Sequence, residues 1–147
     1  MNARILGFDP GERRIGIAVS DVTGTIASPV EFIDRKVGGY EQRIKDLCTE
    51  WEIASIVVGL PLSLDGTEGP AAGRSREFGA FLGELTGLPV TYRDERFTTV
   101  TAEQSLLEGG VKRRERTNKR DQIAAAVMLQ GYLDARRYEI GSDNEHS

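Results

Sequence analysis

The stretch Arg4-Ile5-Leu6-Gly7-Phe8-Asp9-Pro10-Gly11-Glu12-Arg13-Arg14-Ile15-Gly16-Ile17-Ala18-Val19-Ser20 decides the fold. An apolar run ends at an acid, turns over Pro10-Gly11 and returns as a second apolar run, which reads as two antiparallel strands joined by a short turn. Asp9 therefore stands at the open end of a buried strand rather than on a solvated face, and the glycines let a bulky ligand approach the backbone there. An acid in an Asp-Pro-Gly turn also bonds its own backbone, and residue type alone weighs that role equally with ligation.

Working outward, Thr25 to Ile33 adds a third strand and completes an antiparallel meander. Tyr40, Ile44, Leu47, Cys48 and Trp51 then recur at helical spacing, the stripe of an amphipathic helix that takes Cys48 into the core. Ile56-Val57-Val58 is fully apolar and β-branched, the mark of a strand covered on both faces and parallel to its neighbours. It opens into the loop Gly59 to Gly69, at the carboxyl end of a strand, where α/β proteins bind ligands; Asp65-Gly66 within it reads as a turn. Ala71, Ser75, Phe78, Leu82 and Leu85 give a second helix and Pro89 to Arg93 a fifth strand. A third helix starts among Thr98 to Thr101 and stops at Gly109-Gly110, and a last, Ala-rich one covers Ile123 to Leu133. The expected fold is α/β: a mixed five-stranded sheet, antiparallel meander then parallel strands, flanked by about four helices.

Composition narrows the chemistry. With 147 residues and 39% hydrophobic content, residues 1–137 fit one domain, and the polar stretch 138–147 reads as a disordered tail. There is no long uncharged apolar run and no secretory signal pattern, so the expectation is a cytoplasmic protein without membrane association. Cys48 is the single cysteine, which excludes an internal disulfide and a cysteine-based zinc framework. The single histidine, His146, lies in the polar tail, which excludes Ser-His-Asp and Cys-His catalysis and the zinc protease motif. What remains is chemistry on carboxylates, lysine, arginine, hydroxyls and a hard metal.

Three acids stand at the ends of elements: Asp9, Glu95 after the fifth strand, and Asp121 at the start of the last helix. A divalent-metal site built on a sheet requires such an arrangement, because Mg²⁺ and Mn²⁺ prefer oxygen ligands. Parallel neighbours one, four and five would bring Asp9, the Gly59 loop and Glu95 to one edge, where grouped carboxylates repel unless a cation neutralises them. Two ions about 4 Å apart are one route to phosphodiester hydrolysis. Asp94 and Glu95 point to opposite faces; counting by twos from Tyr92 puts Asp94 with the apolar face, but strand ends irregularise, and both remain open. Asp121 also has a plainer role, an acid in the first turn of a helix capped by Asn118.

Net charge is −4, which argues against a general nucleic-acid binder, but the distribution is uneven. Lys112, Arg113, Arg114, Arg116, Lys119 and Arg120 crowd one stretch opposed only by Glu115, and Arg13 and Arg14 flank the Asp9 turn. An isolated run of this kind reads first as a solvated flexible loop; adjacency to Asp121 strengthens the alternative, a loop that grips phosphates. Arg96 and Thr98 are further candidate phosphate contacts, with a surface ion pair and a helix cap as their plainer readings.

Taken together, Leu6-Gly-Phe-Asp9-Pro-Gly-Glu-Arg13-Arg-Ile-Gly16-Ile-Ala-Val-Ser20-Asp21, Ile56-Val-Val-Gly59-Leu-Pro-Leu-Ser-Leu-Asp65-Gly66, Asp94-Glu95-Arg96-Phe-Thr98-Thr99 and Asp121-Gln-Ile-Ala124-Ala125 resemble the YqgF/RuvX family of ribonuclease H-like proteins. The resemblance spans nearly the whole chain except the tail. It implies a ribonuclease H-like fold, Mg²⁺ or Mn²⁺ as cofactor, and Asp9, Glu95 and Asp121 as the catalytic and metal-binding acids, which chooses Glu95 over Asp94. It also implies a nuclease acting on structured nucleic acid, either at the pre-16S rRNA end, with the ribosomal small-subunit precursor as partner, or on Holliday junctions in branched DNA. A resolvase would be a homodimer; an rRNA-processing enzyme could act as a monomer. Two other classes compete: a non-catalytic nucleic-acid or ribosome-associated protein, and a phosphate-binding ATPase relative, which would need a second domain and for which the chain has no Walker lysine motif.

Overall fold

The computed structural model describes residues 3–95 and 122–136. Strands β1 (Arg4–Pro10), β2 (Arg14–Ser20) and β3 (Ala27–Asp34) are followed by helix α1 (Tyr40–Glu50), strand β4 (Ile53–Leu60), helix α2 (Pro70–Thr86) and strand β5 (Val90–Asp94). A third helix, α3, covers 122–136. The expected helix over 98–108, the basic stretch and the tail lie outside the described residues.

The sheet order is β3-β2-β1-β4-β5. β1 pairs antiparallel with β2 and parallel with β4; β3 pairs antiparallel with β2, and β5 parallel with β4. Short turns allow only the antiparallel meander, whereas each parallel step requires a crossover helix, here α1 and α2. β3 begins later than the apolar pattern indicates because Asp21 organises the preceding turn. Its Oδ1 accepts the Thr25 and Ile26 N–H groups at 2.8 and 3.0 Å, and the Thr23 hydroxyl also donates to its carboxylate. These bonds, the Thr23 one first, hold the Asp21 pKa down at about 2. β4 is longer than its Ile56–Val58 centre, since partners on both sides continue its ladders.

Alternation along the strands makes two cores. Leu6, Phe8, Ile15, Ile17, Ile56 and Val58 face α1 and α2, meeting Ile44, Leu47, Phe78 and Leu82. Ile5, Ala18 and Val57 face α3, meeting Ala125, Met128, Leu129 and Leu133. The α3 face is lined by small residues so that the helix lies close. A Cβ on Gly7 would stand 3.2 Å from Leu129 Cβ. Gln130 ties α3 to the meander, accepting the Ala27 N–H and donating to the Thr25 carbonyl, both at 2.9 Å. Between β1 and β2, the Ile5 N–H donates to the buried Ser20 hydroxyl at 2.8 Å. Cys48 is a half-buried stripe residue of α1 packed against the first core, and burial pushes its thiol pKa up.

Candidate active site

The carboxyl ends of β1, β4 and β5 come together at one edge of the sheet. Asp9 is the penultimate residue of β1, opposite Gly16 of β2. Glu95 follows β5, and its N–H donates to the Leu60 carbonyl at 3.1 Å, carrying the β4–β5 ladder one residue past Asp94. Glu95 is 7% exposed, a burial level that charged residues seldom reach unpaired. Asp94 is exposed. The count from Tyr92 holds in parity, since Tyr92 packs with the α1/α2 core. The site, however, lies on the opposite, α3-facing side of the sheet, so it is Glu95 that meets Asp9.

Gly59 makes room for this meeting. A Cβ there would stand 2.5 and 2.6 Å from the two carboxylate oxygens of Glu95, inside any permitted contact. The glycine thus turns a position between two strands into a slot for a carboxylate. The signal is present in the sequence as a glycine interrupting a β-branched run on a central strand.

The electrostatics of the pair are unfavourable in the absence of a cation. Burial, then the negative charge of Asp9 and a hydrogen bond shared with it, and finally Asp94 push the Glu95 pKa up to about 10. Glu95 Oε1 is buried without a hydrogen-bond partner. Such an orphaned oxygen costs about 1–3 kcal/mol unless a ligand satisfies it. An all-oxygen donor set with one unsatisfied buried carboxylate oxygen fits a hard divalent cation, which would replace the proton on Glu95 and relieve the repulsion from Asp9. Asp9 and Glu95 are the described residues that would hold it. Asp121, the third expected acid, lies outside the described residues, as do Arg96, Thr98, Lys112, Arg113, Arg114, Arg116, Lys119 and Arg120.

The turn after Asp9 is held from several directions. Gly11 N–H donates to the Arg14 carbonyl at 2.9 Å, and a Cβ on Gly11 would stand 2.7 Å from that oxygen. Arg35 grips the turn as well: its Nε donates to the Gly11 carbonyl at 3.0 Å and its N–H to the Arg13 carbonyl at 2.7 Å. The Arg35 guanidinium lies over the Phe78 ring, 5.3 Å from its centroid, and Phe78 packs edge-on against Phe8, the neighbour of Asp9. Sequence reasoning passes over Arg35, because its partner is a backbone carbonyl on a different strand connection. Arg13 and Arg14 stand at the same turn. Arg13 is largely exposed and pairs with Asp34 at 3.3 Å; Arg14 lies over the Phe32 ring.

Among the described residues no helix is long and apolar enough to cross a membrane. A family model described as RuvX, Holliday junction resolvase, matches residues 3–135. A proposed pre-16S rRNA nuclease of Lactococcus lactis subsp. lactis (strain IL1403) is 44% identical over 144 residues, covering 95% of this chain and 100% of that protein. A protein of the same name from Desulfitobacterium hafniense (strain Y51) is 44% identical over 142 residues, covering 97% and 99%. Among solved structures, T. thermophilus RuvC in complex with Holliday junction substrate superposes with a TM-score of 0.56 at 17% identity, covering 92% of this chain and 96% of that one. At that identity the likeness is one of fold, and the fold is ribonuclease H-like.

Proposed function

Since the chain belongs to the RuvX family, we propose that it is a metal-dependent endonuclease that hydrolyses phosphodiester bonds of structured nucleic acid, with the pre-16S rRNA end as its substrate in ribosome biogenesis. The observation that carries this reading is the Asp9–Glu95 pair, in which the buried, unsatisfied Oε1 and raised pKa of Glu95 call for a cation at the edge of the sheet. Asp9, Glu95 and Asp121 would hold Mg²⁺ or Mn²⁺. Such an ion, or a pair of them, supplies activation of the attacking water and neutralisation of charge on the phosphate. The chain's own contribution is placement. The Glu95–Leu60 bond and the Gly59 slot fix one carboxylate, and the braced 10–14 turn fixes the other. Arg13, Arg14, Arg96, Thr98 and the stretch Lys112, Arg113, Arg114, Arg116, Lys119, Arg120 would bind the substrate backbone.

The names carried by full-length relatives at 44% identity favour the rRNA substrate. The description of the family itself favours a second reading, a Holliday junction resolvase; cutting both strands of a four-way DNA junction symmetrically would call for a homodimer. The test is Mn²⁺-dependent cleavage by wild type and Asp9→Asn, side by side on a precursor-rRNA fragment and a four-way DNA junction. Selective trimming of the RNA supports rRNA maturation, and symmetric cutting of the junction alone supports the resolvase. Tight binding without cutting of either would replace both with a non-catalytic role.

A further inference from the structure

An open groove of about 250 Å³ runs between the edge of β5 and the last turns of α3, lined by Tyr92, Arg93, Asp94, Tyr132, Ala135 and Arg136. Its β5 wall ends one residue before Glu95. The Arg93 guanidinium is laid across α3 at Gly131, with Nη2 3.4 Å from where a Cβ would stand, a van der Waals contact distance. A glycine inside a helix costs roughly 1 kcal/mol relative to alanine, and here it keeps the helix surface bare beneath the arginine. Arg136 lies over the Tyr132 ring, 6.0 Å from its centroid. Neither arginine has a carboxylate partner among the described residues. Asp94, at the end of the groove nearest Glu95, is the one acid in its lining.

We infer that this groove binds one unpaired nucleotide of the substrate, flanking the bond to be cut. Its phosphate sits on Arg93 and its base stacks on the Tyr132–Arg136 pair. Aromatic rings beside arginines are the combination that holds single-stranded nucleic acid: guanidinium groups take the backbone charge, and the flat stack accepts any base. A base can join that stack only when it is out of its pair, so the groove selects a single-stranded flank rather than a continuous duplex. The ligand class rests on the nuclease reading above; the place rests on the groove.

The test uses the full chain in EDTA, so that binding is read without cleavage. Affinity for short labelled RNA and DNA single strands, and for the same sequence as a duplex, is measured across a salt series. Arg93→Gln with Arg136→Gln should weaken single-strand binding about 10-fold and reduce the salt slope by about 0.7, the value for the one phosphate held on Arg93. Tyr132→Leu should weaken it by about 5- to 100-fold with the slope unchanged, while Tyr132→Phe, which keeps the ring, binds as wild type. Duplex binding should not respond to Tyr132→Leu. Single-strand affinities and slopes unmoved in both Gln and Leu variants would overturn the inference, as would an equal loss on the duplex. A wild type that shows the variant-sensitive binding but, given Mn²⁺, cuts nothing would keep the groove and remove the nuclease.

Discussion

The α-carbon of Gly59 and the carboxylate of Glu95 occupy complementary space: where any other residue would carry a Cβ, Glu95 places its two oxygens. Neighbouring strands thereby exchange a side chain for a gap. The gap lets a charged group lie 7% exposed in the sheet edge, facing Asp9.

Gly59→Ala should therefore act on the site more than on the fold. The added methyl displaces the Glu95 carboxylate, and a misplacement near 1 Å is enough to lower cleavage about 100-fold. Overpacking should cost about 1–3 kcal/mol of stability, read as a modest fall in Tm with unchanged circular dichroism. Full cleavage by this variant would show that the position of Glu95 is immaterial.

The acids themselves give the sharper loss. Asp9→Asn, Glu95→Gln and Asp121→Asn should each reduce Mn²⁺-dependent cleavage by at least about 100-fold, since each takes away charge that neutralises the cation. Folding should survive all three. Retained turnover in any one removes that residue from the catalytic set.

Stability should depend on pH through Glu95. Its pKa is about 10 in the folded, metal-free chain against an ordinary 4.5, so between those values the folded state holds a proton that the unfolded state has released. Stability contributed by this group is complete below about pH 4.5 and is lost as pH rises towards 10. In EDTA at about pH 8, Glu95→Gln should consequently melt higher than wild type, by roughly 3 °C or more. A divalent cation must displace the same proton, so metal affinity should climb with pH and calorimetry should record proton release on binding. An affinity flat across neutral pH would mean that Glu95 is not the group displaced.

Backbone binding should be carried in large part by the basic stretch. Neutralising Arg113, Arg114 and Arg116 together should weaken substrate binding and lower the salt slope by roughly 0.7–0.9 for each phosphate no longer neutralised. A slope equal to that of wild type would assign the stretch to solvent.

Much of the architecture is legible because local rules decide it. The turn between Asp9 and Arg14 is too short for anything but antiparallel pairing, and the Tyr40–Trp51 stripe has one period. Ile56-Val57-Val58 has no polar face to expose. Those facts alone imply a meander joined to parallel strands with an acid at the end of the first. The choice between Asp94 and Glu95 is different, because both faces of this sheet are covered. The face that holds the site carries Gly7, Ala18, Gly59 and Ala125 among larger residues such as Ile5 and Val57, so alternation finds apolar residues on both faces and does not single out the one with the site. Family resemblance makes that choice where alternation does not. What only the tertiary structure decided is the environment of each group: the slot that Gly59 opens for Glu95, the grip of Arg35 on the Gly11 carbonyl, and the bare helix surface under Arg93. Each joins residues distant in the chain through space or a backbone atom; Gly59 marks in the sequence that a gap exists on its strand, but residue type and period do not name the partner that fills it.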